Sequence, residues 1–381
     1  MRKGFIISSC DKINNRKTHN RAKGKSVNIL PPHFAKCGGC PVFYDCQLTV
    51  WRWIGYTVFN MKNTFSRRDF VKGFSAIGGL IAVSELTGCA TGSDVFAARG
   101  KWERLVLAYN HIDAGATKPF SILHISDTHF TEAYPYEDPR SLELKEIRTK
   151  TFGGRQEEAL RDSIAWAKEN VDFLLHTGDL IDWQTEANFD LVKKYFGTEL
   201  FGAVGNHEYS RFMWLEKAKY DEAYKAGTRD KVAAAFPFDI SLASKVVNGV
   251  NFVTMDDVYG TVTESQVERF RAEVKKGLPI VLCMHVPFYT PKIWRANRKF
   301  WNGVGQKYSS FEIKTWESSA HVQLTDPVTK NFIAYLKTEK LLKGILAGHT
   351  HITVQDHFSP TAMEYVVGGN FMFHGQEITF S

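Results

Sequence analysis

The sequence predicts an α/β fold built on mixed sheets. From Lys118 onward, short apolar runs alternate with segments whose apolar residues recur at helical spacing. Between Ile352 and Phe380 the chain turns strand-rich, broken at Gly368-Gly369. Alternation followed by a run of strands points to an α/β architecture rather than an all-β one. A hydrophobic fraction of 44% and an aromatic fraction of 13% supply the core that such a fold needs.

The elements follow in order. Phe120–Ser126 is a short apolar strand. Arg155–Val171 is helical, with Leu160, Ile164, Ala167 and Val171 on one stripe. Asp172–Thr177 reads as a strand, Thr185–Phe196 as a helix and Leu200–Val204 as a strand. Thr263-x-x-Gln266 is a capping box opening a helix that turns Val267, Phe270 and Val274 inward. Pro279–Met284 and Gly344–Ala347 are strands again, and no internal repeat or low-complexity tract interrupts the series. Residues 209–248 and 286–319 read as insertions. The second carries Phe288, Tyr289, Trp294, Phe300, Trp301, Tyr308, Phe311 and Trp316, with Arg295, Arg298, Lys299 and Lys307 between them. A loop that long needs its own packing, so a satellite core is expected there. The alternative is a cap that stacks a flat group and steers an anion.

The net charge of +7 is confined to the leader. Ten Lys and Arg against two acidic residues in 1–60, and five against three in 61–100, leave −3 on the remaining 281 residues. The body therefore gives no electrostatic case for nucleic acid. Of the six cysteines only Cys283 lies in the body, which excludes an internal disulfide there and suggests a small buried side chain on a core strand. Cys37-x-x-Cys40 and Cys46, with His33 nearby, lack a clear fourth ligand at zinc spacing.

Ser66-Arg67-Arg68-Asp69-Phe70-Val71-Lys72 resembles the twin-arginine export motif S-R-R-x-F-x-K. The apolar run Gly73–Val83 behind it has signal-peptide length and is too short to span a bilayer. Leu86-Thr87-Gly88-Cys89 resembles a bacterial lipobox, which implies diacylation of Cys89 and a stable membrane anchor. Met61 opens a normal basic n-region, so residues 1–60 are expected to be a disordered upstream extension and 61–89 the signal peptide. Residues 90–117 are expected to be a tether to a domain at 118–381. Together these imply export by the twin-arginine route and anchoring on the periplasmic or extracellular side of a bacterium.

The chemistry sits just past the strand ends, where α/β folds build their sites. Asp127-Thr128-His129 follows the first strand, Gly178-Asp179-Leu180-Ile181-Asp182 the second and Gly205-Asn206-His207-Glu208 the third. His285 follows Pro279–Met284, and Gly348-His349-Thr350-His351 follows Gly344–Ala347. Each block alone is a weak signal. Together they offer oxygen and imidazole ligands, without thiolate, for two divalent or trivalent ions. His124, His176, His357 and His374 belong to no block and are expected to be structural.

The series D-x-H, G-D-x-x-D, G-N-H-E, H, G-H-x-H resembles the calcineurin-like metallophosphoesterase family. The resemblance implies a four-layer αββα sandwich with two mixed β-sheets and a dinuclear centre at one end. It implies that Asp127, His129 and His351 hold one metal, that Asn206, His285 and His349 hold the other, and that Asp179 bridges them. The ions would be Mn, Fe or Zn. A bridging hydroxide would attack the phosphorus of a small phosphomonoester or phosphodiester while His207 protonates the leaving oxygen. Asp182 would fix the tautomer of His207, and Glu208 would lend support, with a surface ion pair as its alternative. In this superfamily the purple acid phosphatases carry a Tyr three residues after the bridging Asp. Asp182 stands there instead, so no tyrosinate–iron centre is implied. A non-catalytic scaffold on the same fold, or a nuclease, are the competing functions.

Overall fold

The structure is a computed structural model that describes residues 104–212, 221–303 and 326–381. The upstream extension, the export segment with its Cys89, and the first half of the tether lie outside the described residues.

Two sheets form the centre. The first has the order β1 (Val106–Ile112), β11 (His374–Phe380), β2 (Phe120–Ile125), β3 (Phe173–Thr177), β4 (Phe201–Ala203). The second has the order β5 (Leu242–Val247), β6 (Val250–Met255), β7 (Ile280–Cys283), β8 (Leu342–Ala347), β10 (Met363–Val366), β9 (Val354–His357). Both are mixed: β2, β3 and β4 are parallel, as are β6, β7, β8 and β10; β11 runs parallel to β1 but antiparallel to β2, and the edge strands β5 and β9 pair antiparallel to their neighbours.

The sheets face each other across an apolar layer. Phe120, Ile122, Leu175 and Phe380 from the first meet Phe252, Val281, Cys283 and Leu346 from the second. Phe252 edges the rings of Phe120, Phe173 and Phe380. Helices cover the outer faces. On the first sheet lie α2 (Gln156–Asn170), through Leu160, Ile164 and Ala167, and α3 (Glu186–Phe196), through Phe189, Val192 and Phe196. On the second lie α6 (Glu264–Val274) and α8 (Pro327–Leu336), through Val267, Phe270, Phe332 and Leu336. The result is the expected αββα sandwich. Thr263 and Gln266 form both hydrogen bonds of the expected capping box.

Three expectations need correction. The sheet begins inside the segment expected to be tether: β1 pairs in parallel with β11 along its whole length. As an edge strand it leaves Val106 and Tyr109 exposed, which hid it from a search for apolar runs. The insertion at 209–248 carries the short helices α4 (Glu222–Ala226) and α5 (Arg229–Ala233) and ends in framework, because β5 pairs with β6 as a hairpin turned at Asn248 (φ 47°) and Gly249 (φ 82°). Two successive positive φ values are what a type I′ turn requires. Finally, α1 (Pro139–Phe152) fills a stretch with no expected element; Asp138 caps it and Pro139 occupies its first turn.

In the second insertion, α7 (Pro291–Gly303) buries Ile293 and Trp294 against Ala347 and Val366. Tyr308, Phe311 and Trp316, on which the expected satellite core also rests, lie with residues 304–319 outside the described residues.

Phe252 has no exposed surface and joins both sheets. Phe252→Ala should cost about 3–5 kcal/mol of stability, measured as a shift in the urea midpoint of the folded domain.

Candidate metal centre

Parallel strands bring their C-terminal loops to one edge, and the two sheets bring those loops face to face. Asp127, Asp179, His285 and His349 each stand two residues beyond the end of β2, β3, β7 and β8. The loops are knitted across the sheets. The His349 amide donates to Asp127 Oδ2 at 2.9 Å, and His285 Nδ1 lies 2.7 Å from the Thr177 carbonyl.

The backbone turns sharply to present these side chains. Asp127 (φ 56°), His129 (φ 54°), Asp179 (φ 55°), His349 (φ 68°) and His351 (φ 57°) all adopt left-handed conformations. For a residue with a side chain this costs on the order of 1–3 kcal/mol each, and it persists only where surrounding contacts enforce it. Here the amides of Asp127, His129 and Phe130 donate to the carbonyls of Gly178, Asp179 and Leu180, lacing the β2 and β3 loops together. The glycines of the last blocks are needed for closeness. A Cβ on Gly205 would strike the Asp179 carboxylate, and one on Gly348 would strike Ser126 Oγ and Asp127 Oδ2.

The ligand atoms converge in groups. Those of Asp127, His129 and His351 lie within 4.8 Å of one another, as do those of Asp179, His285 and His349. Asn206 joins the second group, its Oδ1 3.2 Å from His285 Nε2. Asp179 stands between the groups: its Oδ2 is 3.1 Å from His285 Nε2 and 3.9 Å from His129 Nε2. All seven residues expected to hold metal are thus in one cluster.

The donor set suits cations. His285 Nδ1 faces a carbonyl and His129 Nδ1 faces Asp182 Oδ1 at 3.0 Å, so each of these nitrogens carries a proton and Nε2 is the atom turned to the cluster. The remaining nitrogens point at other imidazoles: His129 Nε2 lies 3.0 Å from His351 Nε2, and His285 Nε2 lies 3.2 Å from His349 Nδ1. Asp127 Oδ1 is buried without a hydrogen-bond partner. Ring nitrogens crowded against ring nitrogens, beside an orphaned carboxylate oxygen, fit ions bound by oxygen and imidazole.

Protonation follows the same crowding. Burial pushes the Asp127 carboxyl up, but the His351, His129 and His285 rings outweigh it and hold Asp127 well below the usual carboxylate range. Asp179 is lowered in the same way, burial being outweighed chiefly by His285 and His207. Burial alone would lower His129, yet Asp127 and Asp182 raise it to about 9; Asp179 and Asp127 likewise raise His285 to about 10.

Glu208 corrects one alternative. It is fully buried, so a surface ion pair does not describe it. Its carboxylate accepts the amides of Asp179, Leu180, Ile181 and Gly205, at 2.6–3.2 Å. It therefore staples the β3 loop to the β4 loop, directly under Asp179.

His207 has its Nδ1 2.9 Å from Asp182 Oδ1 and 2.8 Å from the Asp182 carbonyl. Both neighbours accept, so Nδ1 carries the proton and Nε2 faces the cluster, 3.8 Å from Asp179 Oδ2. Asp182 is itself held by Arg148, whose Nε and Nη2 donate to Oδ2 and Oδ1 at 2.5 and 2.7 Å. Arg148 lies on α1 and in none of the five blocks. Phe152, one turn on, stacks on the His129 ring at 4.5 Å, and Phe371 edges both His129 and His351. Sequence reasoning missed all three; the Asp138-Pro139 start of a helix was the available clue to the first two.

His176 and His124 are neutral braces, burial lowering each to about 3. His176 accepts the Gly178 amide and meets Thr128 Oγ1, while His124 meets Thr177 Oγ1 and Gln376. Burial pushes the Cys283 thiol up, as its inert place between the sheets requires.

A family model described as calcineurin-like phosphoesterase matches residues 120–353. No curated protein matches the chain. Among solved structures, a dimetal phosphatase from Danio rerio is similar at 13% identity and a TM-score of 0.39, over 66% of this chain and 88% of that one. A 5'-nucleotidase from Candida albicans is similar at 12% identity and a TM-score of 0.33, over 70% of this chain and 48% of that one. The chain thus spans about half the length of the nucleotidase.

Two outcomes are expected. A cation entering the cluster at pH 7 displaces protons from His129 and His285, whose folded pKa values are raised to about 9 and 10. Affinity for Mn2+ should therefore rise with pH up to that range, roughly tenfold per pH unit for each proton displaced. Calorimetry in buffers of different ionisation enthalpy should register the release. Glu208→Ala orphans four buried amides, and chemical denaturation should show a loss of about 3 kcal/mol or more.

Proposed function

This chain belongs to the calcineurin-like phosphoesterase family, and on that premise we propose that it is a dinuclear-metal phosphoesterase acting on small phosphate esters. The observation that carries the proposal is the arrangement of two Asp/His groups on either side of Asp179, with His207 Nε2 facing them. Asp127, His129 and His351 would hold one ion; Asn206, His285 and His349 the other; Asp179 both. When bound, such ions supply what the side chains lack: water made acidic enough to yield a nucleophile at neutral pH, and neutralisation of phosphate charge.

The protein's own groups do the rest. His207 carries its fixed proton at Nδ1, pinned by Asp182, so Nε2 is the atom that delivers a proton to the departing oxygen. Asp182 keeps that ring from rotating. Glu208 keeps Asp179 centred between the two groups. Phe152 and Phe371 form a dry wall against His129 and His351, which limits water on that side.

The ester is proposed to be a small one, because the net negative charge of the body gives no electrostatic case for a polyanionic polymer. The twin-arginine-like segment and Cys89 support export of the folded, metal-loaded chain and its anchoring to a membrane on the periplasmic or extracellular side. The twin-arginine route carries folded proteins, which suits a chain that takes its metals before export.

A phosphate-release panel over monoesters and diesters, with Mn, Zn and Fe supplied separately, tests the proposal. Turnover should appear with at least one metal. His207→Ala should lower kcat by about 10²–10⁴-fold, and Asp179→Asn should abolish most metal uptake and turnover together. Unchanged turnover in His207→Ala would remove its assigned role.

A further inference from the structure

Three groups in this cluster, not two, have the geometry of a metal site. The third is His129, Asp182 and His207, whose ligand atoms also lie within 4.8 Å of one another. A cation there would occupy the nitrogen that pins His207 and compete for His129. Something must keep it out, and the structure holds a candidate.

Arg148 is buried, its side chain 5% exposed, and Asp182 has no exposed surface at all. The guanidinium lies along the carboxylate with one donor on each oxygen. Oδ1 additionally receives His129 Nδ1 at 3.0 Å and His207 Nδ1 at 2.9 Å. The carboxylate is thus saturated with donors, and a fixed positive charge sits beside it in a low-dielectric setting. A cation approaching the same oxygens meets like charge at close range. The same helix turn ties Arg148 to the first ion's ligands by a second route: its guanidinium lies 4.7 Å from the Phe152 ring, which stacks on His129.

We propose that Arg148 is a positioning residue that locks Asp182 as a hydrogen-bond acceptor for His129 and His207 and bars it from becoming a metal ligand. It acts on the reaction only through Asp182, and the inference rests on the phosphoesterase function proposed above. A lysine could not replace it fully. One ammonium can neutralise the carboxylate but cannot span both oxygens in a fixed plane.

The test uses the full chain, Mn2+ and two chromogenic esters, para-nitrophenyl phosphate and bis-para-nitrophenyl phosphate. Arg148→Gln should bind more than two Mn2+ per chain by elemental analysis, and excess Mn2+ should inhibit it. Its kcat should fall tenfold or more with KM changed less than threefold. Arg148→Lys should lie between the variant and the wild type on both readouts. Adding Arg148→Gln to Asp182→Asn should lower kcat no further, since the carboxylate it serves is gone. A folded Arg148→Gln with wild-type Mn2+ content and kcat overturns the proposal, as do effects of Arg148→Gln and Asp182→Asn that multiply. If Arg148→Gln does not fold, Arg148→Lys, which keeps the buried charge, decides by the same Mn2+ count. Because that count needs no substrate, a wild-type chain inert on both esters would count against the phosphoesterase function and the positioning role that rests on it, while the Mn2+ count alone would still decide whether Arg148 bars a third ion.

Discussion

Four carboxylates, those of Asp127, Asp179, Asp182 and Glu208, are gathered at one edge of the sandwich with at most 1% of any residue exposed. Buried charges of one sign cannot be left uncompensated, and each here is answered differently. Asp182 has a guanidinium. Glu208 has four backbone amides. Asp127 and Asp179 each take one backbone amide, from His349 and His207, and otherwise face imidazoles, rings that take up protons or cations according to what is offered. The division separates support from chemistry. The acids with permanent partners hold the frame, and the acids with exchangeable partners form the place where a cation fits.

The fold is arranged to make that gathering tolerable. Parallel strands from both sheets end together, and the β2, β3 and β8 loops turn through left-handed residues at once, so the ligands reach the cluster without long flexible arms. The local strain is spread over the β2, β3 and β8 loops and restrained by hydrogen bonds between them. His176, neutral and buried, links the β3 loop to Thr128, which in turn donates to Asn370. Rigidity of this kind presents a preformed set of donors, so little ordering remains when an ion binds.

Much of this was legible in the sequence because the ligands sit at fixed short distances past apolar strands, and both patterns survive in one dimension. The residues left out are those whose burial contradicts their type. The buried face of α1 carries Ser141 and Arg148 beside Leu144 and Phe152, so hydrophobic periodicity does not mark it. β1 is an edge strand whose mixed sequence reads as tether. The β5–β6 hairpin was cut short although Asn248-Gly249 is a strong turn signal. Glu208 was placed correctly in its block, yet its burial could not be inferred, because four amides from two separate loops are what make a buried glutamate acceptable.

The central claim is that Asp179 is shared by two ions, one in each Asp/His group. Anomalous diffraction from crystals grown with Mn2+ tests it most directly. Two peaks about 3.5–4 Å apart are expected, one against Asp127, His129 and His351, the other against Asn206, His285 and His349, with the Asp179 carboxylate between them. A single peak, or a peak seated between Asp182 and His207 in the unaltered chain, would contradict it.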